Sequence, residues 1–438
     1  MSGEANKHGG TLSCDVVVVG GGIAGQESAL NLADAGLEVL LVEKDLSIGG
    51  RMIHLSKVFP TLDCAACITT PKVSETARHP NIEIATYSEI GGLERLPDGS
   101  FRGVLTRHPR YVIEKDCTGC QECEQACPVT VPDQYQYGMV ARKAAYVPFS
   151  IANPRIAAID LEHCILCGAC ERACPADAID FTQQTERVPV EAGAVVVATG
   201  FRLFDPAVIE NYGLGRFRNV VTSMQMERQL VPTRPFNNVL RPKDGKIPDN
   251  IAYILCTGSR DAVLGNPICS QVCCMYSMKQ GQLLLGALPM ADITIYYINI
   301  RAFGKGFEEF YQSSREMGVE FVKAKVGTIE EKENGDLRLK YEDMREGTVK
   351  EADHDMVVLS VGMLSNPEAG SLFAGGALSL DEYGYVGQAD ILGAPARTNI
   401  EGVFVAGTAS GPMDIPDSIA SAGAAAAEAL SYLRRNGR

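Results

Sequence analysis

Apolar runs and amphipathic stretches alternate along the chain in a regular way. The first such block, CDVVVVGGGIAGQESALNLADAGLEVLLVEKD, reads as strand, glycine-rich turn, helix and strand. Residues 194–200 (AVVVATG) and 400–407 (IEGVFVAG) predict two further strands, the first ending in a small-residue turn. Residues 251–260 (IAYILCTGSR) and 292–300 (DITIYYINI) predict the first and second strands of another such unit. The final segment, DSIASAGAAAAEALSYLRR, predicts an Ala-rich helix from near Asp417. No run approaches the ~20 apolar residues that span a bilayer, and Pro289 and Asp292 interrupt residues 281–300. A membrane would therefore be reached only through a partner.

A chain of 438 residues predicts two or three domains. With 46% hydrophobic and 21% charged residues it is an ordinary folding composition, which excludes general disorder. Forty basic against 54 acidic residues leave a net charge of −14, which a phosphate backbone would repel, so no nucleic-acid partner is expected. MSGEANKHGGTLS has no charged-then-apolar pattern, so the expectation is a cytoplasmic chain, at most peripheral at the membrane through a partner. In that reducing setting, 15 cysteines point to metal or redox chemistry rather than to disulfides.

Residues 117–128 (CTGCQECEQACP) and 164–175 (CILCGACERACP) repeat one spacing, C-x2-C-x2-C-x3-C-P. Three cysteines two residues apart wrap a tight loop around three corners of an iron–sulfur cube, and the fourth, followed by proline, ligates the other cluster. One 4Fe–4S cluster is thus assigned to Cys117, Cys120, Cys123 and Cys174, the other to Cys164, Cys167, Cys170 and Cys127. Zinc ribbons also use C-x2-C pairs, yet leave the proline and the duplication unexplained. His163, beside Cys164, has no vacancy to fill and is expected at the surface.

In the N-terminal block Gly20, Gly22 and Gly25 fill G-x-G-x-x-G, and Glu43 ends the second strand. Such glycines permit the turn, let backbone approach a pyrophosphate and let helix pack on strand, while the acid accepts from a ribose hydroxyl. With Gly49-Gly50-Arg51, Thr199-Gly200 and Gly407, these motifs resemble the two-dinucleotide-binding-domain flavoproteins, the thioredoxin-reductase-like group, which implies FAD. Lys44, Gly50, Arg51, Thr199, Gly200, Gly407 and Ile415 complete the candidate FAD contacts, although Lys44 and Arg51 also read as solvated charges. Thr408 stands where that group usually has Asp, with Asp414 and Asp417 downstream. The last helix offers a positive end to a reduced flavin, or merely closes the sheet. In the second unit Cys256-Thr-Gly-Ser-Arg-Asp replaces the glycine fingerprint and Ile300-Arg301 replaces the acid, so its NAD(P) site reads as degenerate. Lys305 is a weak candidate for the flavin edge.

Cys64 and Cys67 (TLDCAACITTPK), with Cys269, Cys273 and Cys274 (PICSQVCCMY), remain. They read as ligands of a third cluster, as a dithiol at Cys64 and Cys67, or as inert buried thiols, which is also the reading for Cys14.

The segments GGGIAGQESALNLADAG, EKDLSIGGRMIHLSKVFPTLDC, HCILCGACERACPADAIDF, LCTGSRDAVLGNPICSQVCCMYSMKQ and AGTASGPMDIPDSIA resemble the A subunit of heterodisulfide reductase, from about residue 12 onward. Longer members carry a further N-terminal domain and a C-terminal ferredoxin; the shortened form is similar to QmoA of the quinone-interacting membrane-bound oxidoreductase complex. The resemblance implies FAD, several 4Fe–4S clusters and partner subunits like QmoB and QmoC or HdrB and HdrC, with adenosine-5′-phosphosulfate reductase as a further partner. The expected architecture is an α/β flavoprotein with FAD-domain segments at 11–108, 182–240 and 355–438. A ferredoxin-like two-cluster insert occupies 109–181, and a second Rossmann-like domain 241–354. The function expected is electron transfer with no acid–base catalytic residue, in quinone-linked sulfur metabolism. A self-sufficient NAD(P)H-dependent oxidoreductase and a cofactor-bearing scaffold are the alternatives.

Overall fold

Val16, Val17, Val18 and Val19 all lie buried, because their strand is covered on both faces. In the computed structural model, which describes residues 7–8 and 10–437, this strand is Thr11–Val19. The parallel neighbours on one side are Val39–Val42 and then Ile82–Ala85; on the other are Glu186–Val197 and then Val403–Val405. Val16 and Val18 point to the face where helices Ile23–Asp34 and Ile415–Arg435 pack, and Val17 and Val19 to the opposite one. Alanines 29, 33, 422, 425, 426 and 429 let the helices approach closely enough for the Ser28 hydroxyl to donate to Ala422 O at 3.3 Å. An antiparallel arm, Ser88–Arg95 and Phe101–Arg107, adds Phe101 to the second face. Phe101 is wholly buried there, and cutting it to alanine would cost about 3–5 kcal/mol.

Arg107 opposes Glu186, so the chain leaves and rejoins the sheet at facing positions, and residues 109–181 form an excursion between them. Buried Arg110 fastens its start, donating to Leu46 O (3.1 Å), to Glu114 (2.6 Å) and to Thr86 Oγ1. Farther on, Ile48 N donates to Asn153 O (3.0 Å) and Asn153 N to Ser47 Oγ (2.8 Å). The stretch between the cysteine runs forms two small antiparallel pairs, Thr130–Pro132 with Ala141–Lys143 and Ala145–Tyr146 with Ala158–Ile159.

The other compact unit has its own sheet, in the order Val220–Thr222, Met356–Val361, Asn250–Thr257, Asp292–Tyr297, Glu320–Glu331, Leu337–Asp343, Thr348–His354. Its first five strands pair in parallel and its last two add an antiparallel ribbon. This unit comprises His54–Cys67 and Arg202–Leu364, which differs from the expected division at 241 and 354. Val220–Thr222 is an edge strand of this sheet and Met356–Val361 its second, so residues 202–240 and 355–364 belong with it. Among the described residues no helix is long and apolar enough to cross a membrane.

Candidate cofactor sites

At the carboxyl end of Thr11–Val19 the chain turns at Gly20, whose φ of 109° leaves no room for a side chain: a Cβ would lie 2.3 Å from Ala198 O. A Cβ on Gly25 would lie 1.7 Å from Gly20 O, so helix Ile23–Asp34 seats on the strand only because residue 25 is glycine. Gly22 caps that helix without a side-chain partner, which leaves first-turn N–H groups and the positive helix end for an anion. Gly50 closes against Gly22, where an added Cβ would meet Gly22 Cα at 2.7 Å. Glu43 is buried at the end of the neighbouring strand, accepting from Gly21 N (2.7 Å) and Asp45 N (2.9 Å). Burial pushes its carboxyl up to about 7.

Thr199 lies just beyond Glu186–Val197, and its hydroxyl is buried with no partner among the described residues. Such an orphan needs an explanation, and a bound polar group is one. Gly407 follows Val403–Val405 with φ 62°; a Cβ there would reach 2.6 Å from Ala24 Cβ, placing this turn on the first turn of the Ile23 helix. Gly200 lies close to Thr408 Oγ1. The last helix starts at Ile415, capped by Asp414 accepting from Asp417 N (2.9 Å), two residues before the expected start because the cap is Asp414 and not Asp417. Lys44 turns to Glu368 at the surface (2.7 Å), Arg51 is exposed, and Lys305 is exposed on the other unit. The glycines, Glu43 and Thr199 thus form a socket fit for a dinucleotide, while the Lys44 ammonium is taken by Glu368.

The two cysteine runs of the excursion fold as copies. Gly119 and Leu166 share positive φ (65° and 54°), as do Gln121 and Gly168 (70° and 68°), and each run ends in a short helix, Glu122–Ala126 or Ala169–Ala173. Cys117, Cys120, Cys123 and Cys174 line one cavity with Val112, Ala157 and Ile179. Cys127, Cys164, Cys167 and Cys170 line a second with Val129, Ala145 and Ile159. The fourth cysteine of each run therefore crosses to the other's nest. Backbone N–H groups face the sulfurs, Leu166 N to Cys164 Sγ at 3.4 Å and Ala178 N to Cys174 Sγ at 3.3 Å.

Burial, with Cys117 nearby, pushes Cys123 up to about 12 and raises Cys170 as well, so without a cation these thiols stay protonated. A single tetrahedral zinc would bring its sulfurs to about 3.8 Å from one another, given 2.3 Å bonds. Among the described residues, the set of three candidate ligands whose atoms all lie within 4.8 Å of one another is Asp160, Glu162 and His163, with no cysteine. Asp160 there answers Arg142 (2.9 Å) and His163 (3.1 Å), which turns His163 away from the nest. The wider spread of thiols around a common cavity fits a cluster better than one ion.

The remaining cysteines divide into two groups: Cys64 with Cys67, the pairing that one of the readings above allows, and Cys269, Cys273 and Cys274 with Cys256, which none of them included. Cys64 and Cys67 engage each other: Cys67 N donates to Cys64 Sγ at 3.4 Å, and the hydrogen bond from the Cys67 thiol, then those from the backbone N–H groups of Cys67 and Ala66, hold the Cys64 thiol below its ordinary range against its partial burial. Their segment is clamped by a buried pair, Lys279 and Glu227. Ser56 donates to Glu227 through N (2.8 Å) and Oγ (2.6 Å), Gln280 donates to Glu227 at 2.6 Å, and Lys279 bonds both Glu227 and Lys57 O. Burial opposes ionisation of Glu227, but Lys279 and these donors outweigh it and hold the carboxyl below its usual range.

Cys269, Cys273 and Cys274 have Cys256 for company. A register shift near the end of Asn250–Thr257 leaves Cys256 at φ 59°. Cys273 and Cys274 open helix Cys273–Ala287, and the 258–272 loop between is tied by Ser259 to Ser270 (2.6 Å) and by Asn266 Nδ2 to Gly258 O (2.7 Å). Burial and then the mutual repulsion of the four sulfurs raise Cys273 far above its ordinary range and Cys274 to about 11. Gln271 N faces Cys269 Sγ (3.3 Å) and Arg301 N faces Cys274 Sγ (3.5 Å). The signal that could have found Cys256 was a cysteine at a strand end where a nucleotide turn requires glycine.

Comparison with known proteins agrees with this frame. The family model described as pyridine nucleotide-disulphide oxidoreductase matches residues 14–429. The chain is 42% identical over 415 residues to the A subunit of the H(2):CoB-CoM heterodisulfide,ferredoxin reductase of Methanothermobacter marburgensis, covering 94% of this chain and 63% of the relative. It is 45% identical over 430 residues to an iron-sulfur A subunit of the CoB–CoM heterodisulfide reductase of Methanopyrus kandleri, the form numbered 2, covering 97% and 65%. The chain thus spans a little under two thirds of these relatives' length. Among solved structures, T. acidophilum thioredoxin reductase superimposes with a TM-score of 0.54 at 15% identity, covering 96% of this chain and 98% of that one. L. lactis thioredoxin reductase gives 0.54 at 14%, covering 96% and 99%. Two sheets with parallel cores, a glycine socket at the end of the first and a match through nearly its whole length place this chain in the pyridine nucleotide-disulphide oxidoreductase family, in similarity to the A subunits of heterodisulfide reductases.

Proposed function

We propose that the chain is a flavin and iron–sulfur electron-transfer component of a larger redox complex of the HdrA and QmoA kind. The observation that carries this reading is the pair of crossed thiol nests, each lined by three cysteines of one run and the fourth of the other. FAD, when bound, supplies two-electron exchange and the clusters supply one-electron carriage. Gly20, Gly22 and Gly25 would admit the pyrophosphate to the helix end, Glu43 would hold the ribose, and Thr199 would spend its free hydroxyl on the cofactor. Apolar walls bury Cys123, Cys127 and Cys170, while Cys120 and Cys167 stay exposed.

A third cluster on Cys256, Cys269, Cys273 and Cys274 fits the second unit, where thiols occupy the corner that a nicotinamide cofactor would need. Cys64 and Cys67 then stand apart as a separate pair. Partners in this reading are redox proteins like HdrB and HdrC or QmoB and QmoC, with quinone-linked sulfur metabolism, adenosine-5′-phosphosulfate reductase included, as the setting. Anaerobic purification with iron and flavin counted per chain tests it: about twelve irons with one FAD are expected, about eight would remove the third cluster, and zinc in place of iron with no flavin would end the proposal. Rapid bleaching of the flavin by NADH or NADPH would favour the self-sufficient enzyme instead, and cofactors inert to redox titration would favour a scaffold.

A further inference from the structure

The two cysteine runs share a backbone but not a surface. In the first, position 119 is glycine because Arg155 covers it: a Cβ would meet Arg155 O at 2.5 Å and Arg155 Cγ at 3.1 Å. The equivalent position in the second run is Leu166, with Ile165 before it where the first has Thr118. Among the described residues nothing covers this tip; Ile165 and Leu166 are 66% and 67% exposed, and Leu161 is exposed too. Leu166 holds a left-handed φ of 54°, a conformation that costs a branched side chain about 1–2 kcal/mol and that glycine adopts freely. The motif does not impose leucine, since its twin does without one.

The patch lies beside one of the thiol nests. Ile165 lines the nest of Cys127, Cys164, Cys167 and Cys170, so whatever packs on the patch lies against that nest. The frame is acidic: Glu162 and Glu171 are exposed beside this nest, against Arg172 as the basic residue of the same loop, while Asp160 is held by Arg142. We propose that Ile165 and Leu166 are the docking surface for a one-electron carrier protein with an apolar contact spot ringed by lysine or arginine. The proposal rests on the electron-transfer reading and names the nest through which the chain meets that carrier. The exchange moves one electron, with no bond formed or broken and no proton carried: the carrier is reduced by one as the thiol-ligated centre is oxidised by one, or the reverse. A small apolar spot with a charged rim gives the fast, salt-sensitive encounter that carriers use.

The test uses cytochrome c, a basic haem protein, as probe with the anaerobically purified full chain. Binding is measured by calorimetry at low ionic strength, and electron transfer by stopped flow. The double variant Ile165→Ser, Leu166→Gly, which relieves the strained φ and so keeps the fold, should bind about tenfold more weakly or worse. Both clusters should remain visible by paramagnetic resonance and reducible by dithionite. Glu162→Gln with Glu171→Gln should flatten the salt dependence. Unchanged affinity in the double variant with full iron would overturn the surface and leave the electron-transfer reading standing. A change confined to the chain's own association state would make the patch a homotypic interface and overturn the carrier. Iron-free parent protein would remove both readings together.

Discussion

The first and second units each turn a parallel strand into a helix at the carboxyl end of a sheet, the corner where such folds receive ligands, and the two corners have opposite chemistry. In the first, Gly20, Gly22 and Gly25 strip the turn to backbone, so its N–H groups and the helix end present positive potential. In the second, Cys256, Cys269, Cys273 and Cys274 fill the corner with sulfur and the turn is drawn out into the 258–272 loop. In the proposed reading one corner receives an anion and the other a cation that takes up thiolate charge. The difference teaches that the sheet supplies the place and a handful of turn residues choose the guest.

The most drastic way to break the first corner is Gly25→Val. With a Cβ at 1.7 Å from Gly20 O the helix cannot seat, so the purified variant should carry no flavin, read from its absorbance. The second corner is sharpened by Cys273→Ser, which should lower iron from about twelve to about eight per chain while flavin stays; unchanged iron would make those thiols inert. The same helix is anchored by charge, and Lys279→Met leaves Glu227 buried without its cation, an expected loss of about 3–5 kcal/mol in denaturant unfolding. Removing both charges by Lys279→Met with Glu227→Leu should restore much of it.

The smallest effect tests Glu43. Its native pKa, raised by burial to about 7, lies above the unfolded value near 4.5, so the native state binds the proton more tightly. In flavin-free chain that contribution is complete below about pH 4.5 and disappears as pH rises through about 7. Thermal melts of parent and Glu43→Gln should accordingly diverge across that window, the parent falling, and then run parallel above it. Parallel melts throughout would show that Gly21 N and Asp45 N already hold the carboxylate ionised.

Features written within a dozen residues were legible beforehand. Gly20 to Gly25 and the two C-x2-C-x2-C-x3-C-P runs act through local geometry, and even the exchange of fourth cysteines between nests followed from the duplicated spacing. Lys44 was not legible, because whether a lysine reaches a ligand or Glu368 depends on a residue 324 positions away. Nor was the extent of the second unit, since the edge strand Val220–Thr222 finds its partner beyond residue 355. Cys256 was read as a lost glycine because the bonds that gather it with Cys269, Ser259 to Ser270 and Asn266 to Gly258, belong to a folded loop.

The amino-acid order alone therefore determined the glycine socket, the paired sulfur loops and the α/β class, since each rests on short-range sterics and on the period of apolar residues. Only the tertiary structure decided that Cys256 joins Cys269, Cys273 and Cys274, that Glu227 and Lys279 clamp the Cys64 segment, and that Leu166 lies open where Gly119 lies covered. Those outcomes depend on which surfaces burial brings together, and burial is a property of the whole folded chain.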